Sequence, residues 1–325
     1  MRWLWVIGLL AACAEPATSL DAGRASSAKA CEDCHAEEAR EHARSAHAGA
    51  FTSPLFAREW ALAPSAFCAR CHAPRVANAL DEPELAARGV DCETCHLDGD
   101  TVRATRVTGT APHPSRVDPA LATTDACRGC HQVDFPSSPG QALQDTVAEW
   151  EAAGAPGGAC QRCHMPRAGT RRRHDFPGAR DQETLARALD VRVSAAHDGW
   201  STQATLALEA AGAGHAVPTG DVFRRLVVRA SDDAGGERAV ELGRHFVFSD
   251  GAPWRPLRDD RVPAVGVREV TLRLRGRASR VRWAVEHWSV PPETAARTGL
   301  PRETLHRELA RGALDVPATD GARAP

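Results

Sequence analysis

The sequence predicts an α+β chain: an irregular, mainly helical segment followed by an antiparallel β-sandwich-like segment. Three observations carry this. Ten of the eleven cysteines lie in five short CxxCH motifs before residue 165, set among short helical patterns. After Gly178 the cysteines stop. From there, alternating apolar and polar stretches recur between turn signals, as strands of a sandwich do.

The 325 residues suffice for about two domains. We place them at 30–178 and 179–325. The formal net charge is −2, which excludes the basic footprint of a nucleic-acid partner. The N-terminus reads as an address. Arg2 precedes a short apolar run from Trp3 to Leu10, too short to span a bilayer. Leu10-Ala11-Ala12-Cys13 resembles the lipobox of bacterial lipoproteins. Residues 1–12 are thus expected to be a signal peptide, Cys13 the lipidated residue and 13–29 a flexible tether. The expected location is the periplasmic side of a bacterial membrane. Ala14 after Cys13 favours the outer one.

The motifs are Cys31-x-x-Cys34-His35, Cys68-x-x-Cys71-His72, Cys92-x-x-Cys95-His96, Cys127-x-x-Cys130-His131 and Cys160-x-x-Cys163-His164. Two cysteines at this spacing form thioethers to the two vinyl groups of one haem. The histidine that follows is then held against the iron as proximal ligand. Zinc also uses CxxC pairs, but zinc does not require a histidine directly after each pair. At this histidine content, five such coincidences have a chance of about 10⁻⁷. Five covalent haem c groups are therefore expected, and no zinc. So dense an array leaves few residues for a side-chain core. Phe51, Phe56, Trp60, Phe67, Phe135 and Trp150 are expected to pack around the cofactors, and the segment is expected to fold poorly without haem.

Each iron has a further axial position. Met1 is lost with the signal peptide, Met165 directly follows His164, and Lys29 is the only lysine, so histidine or an open site remains. Nine histidines lie outside the motifs. His47, His113, His174 and His215 are the leading distal candidates, with His42 behind them. His42 and His47 share a suggested helix, and His113 and His215 lie in loops. His197, His245, His287 and His306 read as ordinary residues of the second segment. Arg171, Arg172 and Arg173 are either counter-charges for haem propionates or a solvated loop.

At these residues the chain resembles the multihaem cytochrome c family related to cytochrome c554. The matching pieces are Cys31-Glu-Asp-Cys34-His35 with Ser45-Ala46-His47, Gly89-Val-Asp-Cys92-Glu-Thr-Cys95-His96, and Cys160-Gln-Arg-Cys163-His164-Met-Pro166 followed by His174-Asp-Phe-Pro-Gly178. The loop Gly214-His215-Ala-Val-Pro-Thr-Gly220, with Arg224 and Arg225 after it, resembles a segment downstream of haem domains in such proteins. The resemblance implies a distal role for His47. It also implies one haem without a protein distal ligand, for which His72 is a candidate in a chain with five motifs rather than four.

In the second segment a short helix is expected at 181–188. Strands are expected at 189–194, 203–209, 226–230, 269–274 and 281–290, with one or two short helices over 292–311. Closed, closely packed haems imply electron transfer with periplasmic or membrane redox proteins. The alternative is reduction of a small nitrogen or sulfur oxyanion or hydroxylamine at one open haem. A third reading makes the sandwich a surface that recognises a protein, with haem supporting the fold.

Overall fold

The computed structural model describes residues 27–109, 111–198, 200–249 and 252–317. The expected signal peptide and Cys13 lie outside the described residues.

The first half is built from short helices: α1 (Ser27–Cys34), α2 (Ala36–His42), α3 (Pro54–Leu62), α4 (Ala66–His72), α5 (Pro83–Ala86) and α6 (Cys92–His96). Three small strands follow, β1 (Leu97–Asp98), β2 (Thr101–Ala104) and β3 (Ser115–Val117), with β2 and β3 parallel. Then come α7 (Asp125–His131), the hairpin β4 (Gln132–Phe135) and β5 (Ser138–Asp145), α8 (Thr146–Ala152), α9 (Cys160–His164) and the hairpin β6 (Arg167–Ala168) and β7 (Arg171–Arg172). Four of the five motifs close a helix at their histidine, and α1 ends at Cys34 with His35 next. A helical turn brings residues i, i+3 and i+4 to one face. Both cysteines and the histidine of a CxxCH therefore point the same way. Asp91 caps α6 by accepting from the Thr94 N–H at 3.1 Å, and Arg75 holds Asp91 at 2.8 Å and also pairs with Glu93.

The buried apolar cluster of this half consists of Ala69, Ala73, Ala79 and Ala86, flanked by Phe51, Trp60 and Val76. Helices of one or two turns with an alanine core are not stable in water by themselves. Phe51, Phe56 and Trp60 pack on one another with ring centroids 5.1–6.1 Å apart.

The second half begins with α10 (Gln182–Ala186), capped by Asp181. Two antiparallel sheets follow. One has the order β12 (Ala252–Asp259), β11 (Glu237–Ser249), β10 (Arg225–Asp232), β14 (Arg280–Trp288), β15 (His306–Asp315). The other runs β13 (Val267–Arg275), β9 (Ser201–Glu209), β8 (Asp190–His197). Leu206, Leu208, Leu226, Val228, Val281 and Val285 are fully buried between them. Each such side chain contributes about 1.5–3 kcal/mol by leaving water. Short helices α11 (Pro292–Thr298) and α12 (Arg302–Leu305) cover one end of the five-stranded sheet through Val227, Trp288, Val290, Ala295 and Leu305.

The five expected strands are present. The helical expectation for 292–311 holds only to Leu305, and residues 306–311 form the start of edge strand β15. There His306 opposes Trp288 and Leu309 is buried, so pairing with β14 overrides local helix propensity. Strands β11 and β12 were not expected.

The halves are joined by a buried ion pair. Arg261, after β12, reaches Glu149 of α8 at 2.5 Å, with side chains 7% and 8% exposed. Thr219 donates to the same carboxylate at 2.7 Å, and Asp259 holds the far side of Arg261 at 2.6 Å. Arg244 of β11 donates to the Leu143 and Ala142 carbonyls of β5. Replacing Glu149 by Gln leaves the buried Arg261 with Asp259 as its one remaining counter-charge among the described residues. The expected cost is about 3 kcal/mol, read as a lower denaturant midpoint of the holoprotein by far-ultraviolet circular dichroism.

Candidate functional site

Three of the five motif histidines are presented alike. His72 Nδ1 contacts the Ala50 carbonyl at 2.7 Å, His96 Nδ1 the Arg103 carbonyl at 2.8 Å and His164 Nδ1 the Pro177 carbonyl at 2.7 Å. A carbonyl only accepts, so Nδ1 carries the proton and Nε2 presents its lone pair. The same holds for His174, against the Arg172 carbonyl at 3.1 Å, and for His215, against the Ala216 carbonyl at 3.0 Å. Five imidazoles are thus fixed in the tautomer that binds a metal through Nε2.

Three motif histidines face a histidine from elsewhere in the chain. Ring centroids are 6.3 Å apart for His131 and His47, 6.2 Å for His96 and His174, and 6.3 Å for His164 and His215. An imidazole nitrogen sits about 2 Å from a coordinated metal ion and about 1.1 Å from its own ring centroid, so two imidazoles on one iron have centroids about 6.2 Å apart. The three spacings match that geometry. The interplanar angles are 62°, 41° and 10° respectively. Desolvation first, then neighbouring histidines, pushes the pKa of half-buried His47 down to about 4. His131 keeps exposed ring surface, yet its depth in the fold brings it to about 4 as well. Neutral imidazole is the form that ligates.

The partner histidines are positioned by backbone. The helix expected to carry both His42 and His47 stops at His42, so His47 lies in the turns beyond α2. Its carbonyl accepts from the Val90 N–H at 3.0 Å. Gly89 has φ +65°, and a Cβ there would stand 2.5 Å from the His47 carbonyl oxygen. Only glycine permits this approach. His215 is held by the preceding Gly214, whose position leaves no room for a Cβ beside Pro156. His174 is held through its N–H, which donates to Glu41 of α2 at 3.0 Å.

The other candidates are placed differently. His42 Nε2 contacts the Val90 carbonyl at 2.8 Å, and His113 Nδ1 contacts the Ser115 hydroxyl at 3.0 Å. Neither pairs with a motif histidine. Exposed His35 and half-buried His72 also lack a histidine partner among the described residues. His72 instead stacks on Phe56, with centroids 3.8 Å apart and planes within 8°. The three adjacent arginines are engaged by protein groups rather than left as free counter-charges. Arg171 grips Glu41 in a two-pronged pair at 2.8 Å and also reaches Glu37. Arg172 donates to the Gln161 and Met165 carbonyls, and Arg173 pairs with Asp175.

The motifs also touch one another. Cys130 perturbs Cys71, Cys127 perturbs Cys160 and Cys31 perturbs Cys92 electrostatically, so these motifs are neighbours. A cleft of about 610 Å³, lined by Phe67, Arg70, Gly129 and Val133, lies beside the second and fourth motifs. That falls in the range of cofactor sites. Donor chemistry, spacing and cleft all fit haem.

Motifs and fold together define a multihaem c-type cytochrome, the class in which covalently attached haem c carries electrons. A family model described as "Cytochrome c554 and c-prime" matches residues 30–97, which hold the first three motifs. The chain is also similar in fold to a penta-heme cytochrome c552 from Thermochromatium tepidum. The TM-score is 0.72 at 22% identity, over 88% of this chain and 98% of that one. No curated protein sequence matches the chain.

The Glu41 clamp has a defined pH dependence. The Arg171 hydrogen bonds hold the Glu41 carboxyl down to about 2, below its ordinary 4.5. A carboxyl with a depressed folded-state pKa contributes stability that is complete above the unfolded value and lost as pH falls through the folded one. The stability difference between the native chain and Glu41→Gln should therefore be full at pH 6, shrink below about 4.5 and be largely gone near pH 2. Denaturant unfolding of both holoproteins across this range measures it.

Proposed function

We propose that the chain carries electrons through five covalently bound c-type haems on the periplasmic side of a bacterial membrane, to which Cys13 tethers it. Cys31 and Cys34, Cys68 and Cys71, Cys92 and Cys95, Cys127 and Cys130, and Cys160 and Cys163 attach the haems. His35, His72, His96, His131 and His164 are the proximal ligands. His47, His174 and His215 close the irons of His131, His96 and His164. These three histidine pairs carry the reading, because an iron closed on both faces exchanges electrons but not ligands. The proximity of the motifs supports the reading: the first neighbours the third through Cys31 and Cys92, the fourth neighbours the second and fifth, and Cys95 of the third acts on Cys127 and Cys130 of the fourth. The partners are periplasmic or membrane redox proteins.

A second reading attaches to His72, which lacks a histidine opposite it and stacks on Phe56. An open iron there would reduce a small nitrogen or sulfur oxyanion or hydroxylamine.

Electron paramagnetic resonance of the oxidised holoprotein, with intact mass to count haems, separates the two. Pure electron transfer predicts signals that do not respond to added nitrite, hydroxylamine or sulfite. A high-spin signal that shifts on their addition supports the reductase instead. The ring angles make the test sharper. The near-parallel His164–His215 pair should give a rhombic low-spin signal, and the steeply crossed His47–His131 pair a large-g signal. His215→Ala should remove the first and leave the second, adding high-spin ferric haem equal to one haem in five. A mass without five haems would overturn the assignment altogether.

A further inference from the structure

At the junction of the two halves, three arginines from separate elements gather, with Arg180 beside the second motif and Arg224 acting also on His131 and His215. Arg180 precedes α10, Arg224 immediately precedes β10, and Arg307 lies on β15. Register places Arg307 beside His287 of β14, which in turn opposes Leu226 of β10. Arg224, two residues before Leu226, and Arg307 are therefore neighbours at one end of the sandwich, and both act electrostatically on Arg180. A Cβ on Gly49 would stand 3.7 Å from Arg180 Nη1, and the next carbonyl, of Ala50, is the one that orients His72. Arg180 and Asp221 both act electrostatically on His72.

These charges are not balanced by protein. Arg224 pairs with Asp221 at 3.0 Å. Arg307 donates to the carbonyls of Glu303 and His306, which carry no net charge. Arg180 makes no hydrogen bond or ion pair with a described residue. Desolvation and then the like charges of Arg224 and Arg307 lower its pKa. The ring of His287, a residue 5% exposed, also makes no hydrogen bond to a described residue. Three guanidinium groups thus face one carboxylate and a neutral imidazole. Arg180 is exposed and Arg224 and Arg307 are half-buried, so the cluster is open to a counter-anion, and gathering three like charges is unfavourable without one. The missing charge is about −2, which is that of the two propionates of one haem. Guanidinium is suited to carboxylate because its planar fork matches both oxygens.

We propose that Arg180, Arg224 and Arg307 form a cradle for the propionates of the haem held by Cys68, Cys71 and His72. The sandwich is then part of the haem site and raises the reduction potential of that haem. This rests on the haem reading of the second motif. Each added positive charge disfavours the ferric state, which carries one positive charge more than the ferrous.

The test is a spectroelectrochemical titration of the holoprotein and of Arg180→Gln, Arg180→Lys and Arg307→Gln. Intact mass showing five haems in each separates failure of the haem reading from failure of this one. In Arg180→Gln and Arg307→Gln one midpoint potential should fall, with about a tenfold lower ferrous-to-ferric ratio at fixed potential, or about 59 mV for one electron. The other four should stay, and Arg180→Lys should recover most of the shift. Five unchanged midpoints in both Gln variants would overturn the cradle. So would midpoints that respond only when nitrite, sulfite or phosphate is added to the native protein, with the response lost in Arg180→Gln. That result would assign the cluster to a free oxyanion.

Discussion

The structure of the first half depends on a shortage. Between Ser27 and His164 the helices have about one to two and a half turns, and the buried apolar cluster is four alanines, with Val133, Phe135 and Val147 buried apart from it. Nucleating a helix costs more than so few hydrogen bonds return, and alanines bury little area. The second half has no such deficit, since its two sheets enclose a continuous core from Leu185 to Val316. A c-type haem remedies the shortage in two ways. It is a large apolar plate for Phe56, Trp60 and Phe67 to pack near, and it is covalently fixed to the short helix that cannot stand alone. The CxxCH motif thus acts on folding as much as on chemistry.

The same shortage explains why the sandwich is attached where it is. Glu149 of α8 and Arg261 after β12 form their ion pair with almost no solvent contact. The loop that carries His215 enters the first half beside Trp150 and Pro156. Side chain, backbone and imidazole bind the two halves at one junction, next to the fifth motif. A sandwich joined in this way places His215 opposite His164 of the fifth motif, which gives it a part in the proposed site without a binding surface of its own.

Much of this was legible in the sequence, and the reasons differ by residue. The CxxCH spacing is local chemistry, so Cys31 to His164 could be read without any fold. His47, His113, His174 and His215 stood out equally because methionine and lysine are scarce and because each sits in a distinctive local run, yet His113 contacts Ser115 and faces no motif histidine. Their pairing was not legible. It depends on tertiary contacts such as Gly89 against His47 and Glu41 under His174, which no spacing encodes. His42 and His47 were read on one helical pattern, with His47 ranked first, but the helix ends at His42 and only His47 faces a motif histidine. Strand β15 was read as helix because its pairing with β14 lies outside any local window. Arg171 looked like a partner for propionates, yet three glutamates of α2 stand beside it. Arg180 and Arg307 carried no local signal at all.

The pairings have a consequence for how the chain is held. His47 reaches forward to the fourth motif, His174 back to the third and His215 back to the fifth. Each proposed iron is then a cross-link between segments far apart in sequence. A disulfide closing a loop of about 100 residues restricts the unfolded chain by about 4.7 kcal/mol. An iron bound to two histidines restricts it in the same sense for as long as both bonds hold. The linked intervals overlap: 47–131 and 96–174 interleave, and 164–215 begins inside the second. No segment from 47 to 215 lies outside a closed loop. Overlapping cross-links of this kind hold cofactors at fixed separations without a large side-chain core. Fixed separation is what electron transfer between neighbouring haems requires, so the constraint that compensates for a weak core is also the one that makes the array work.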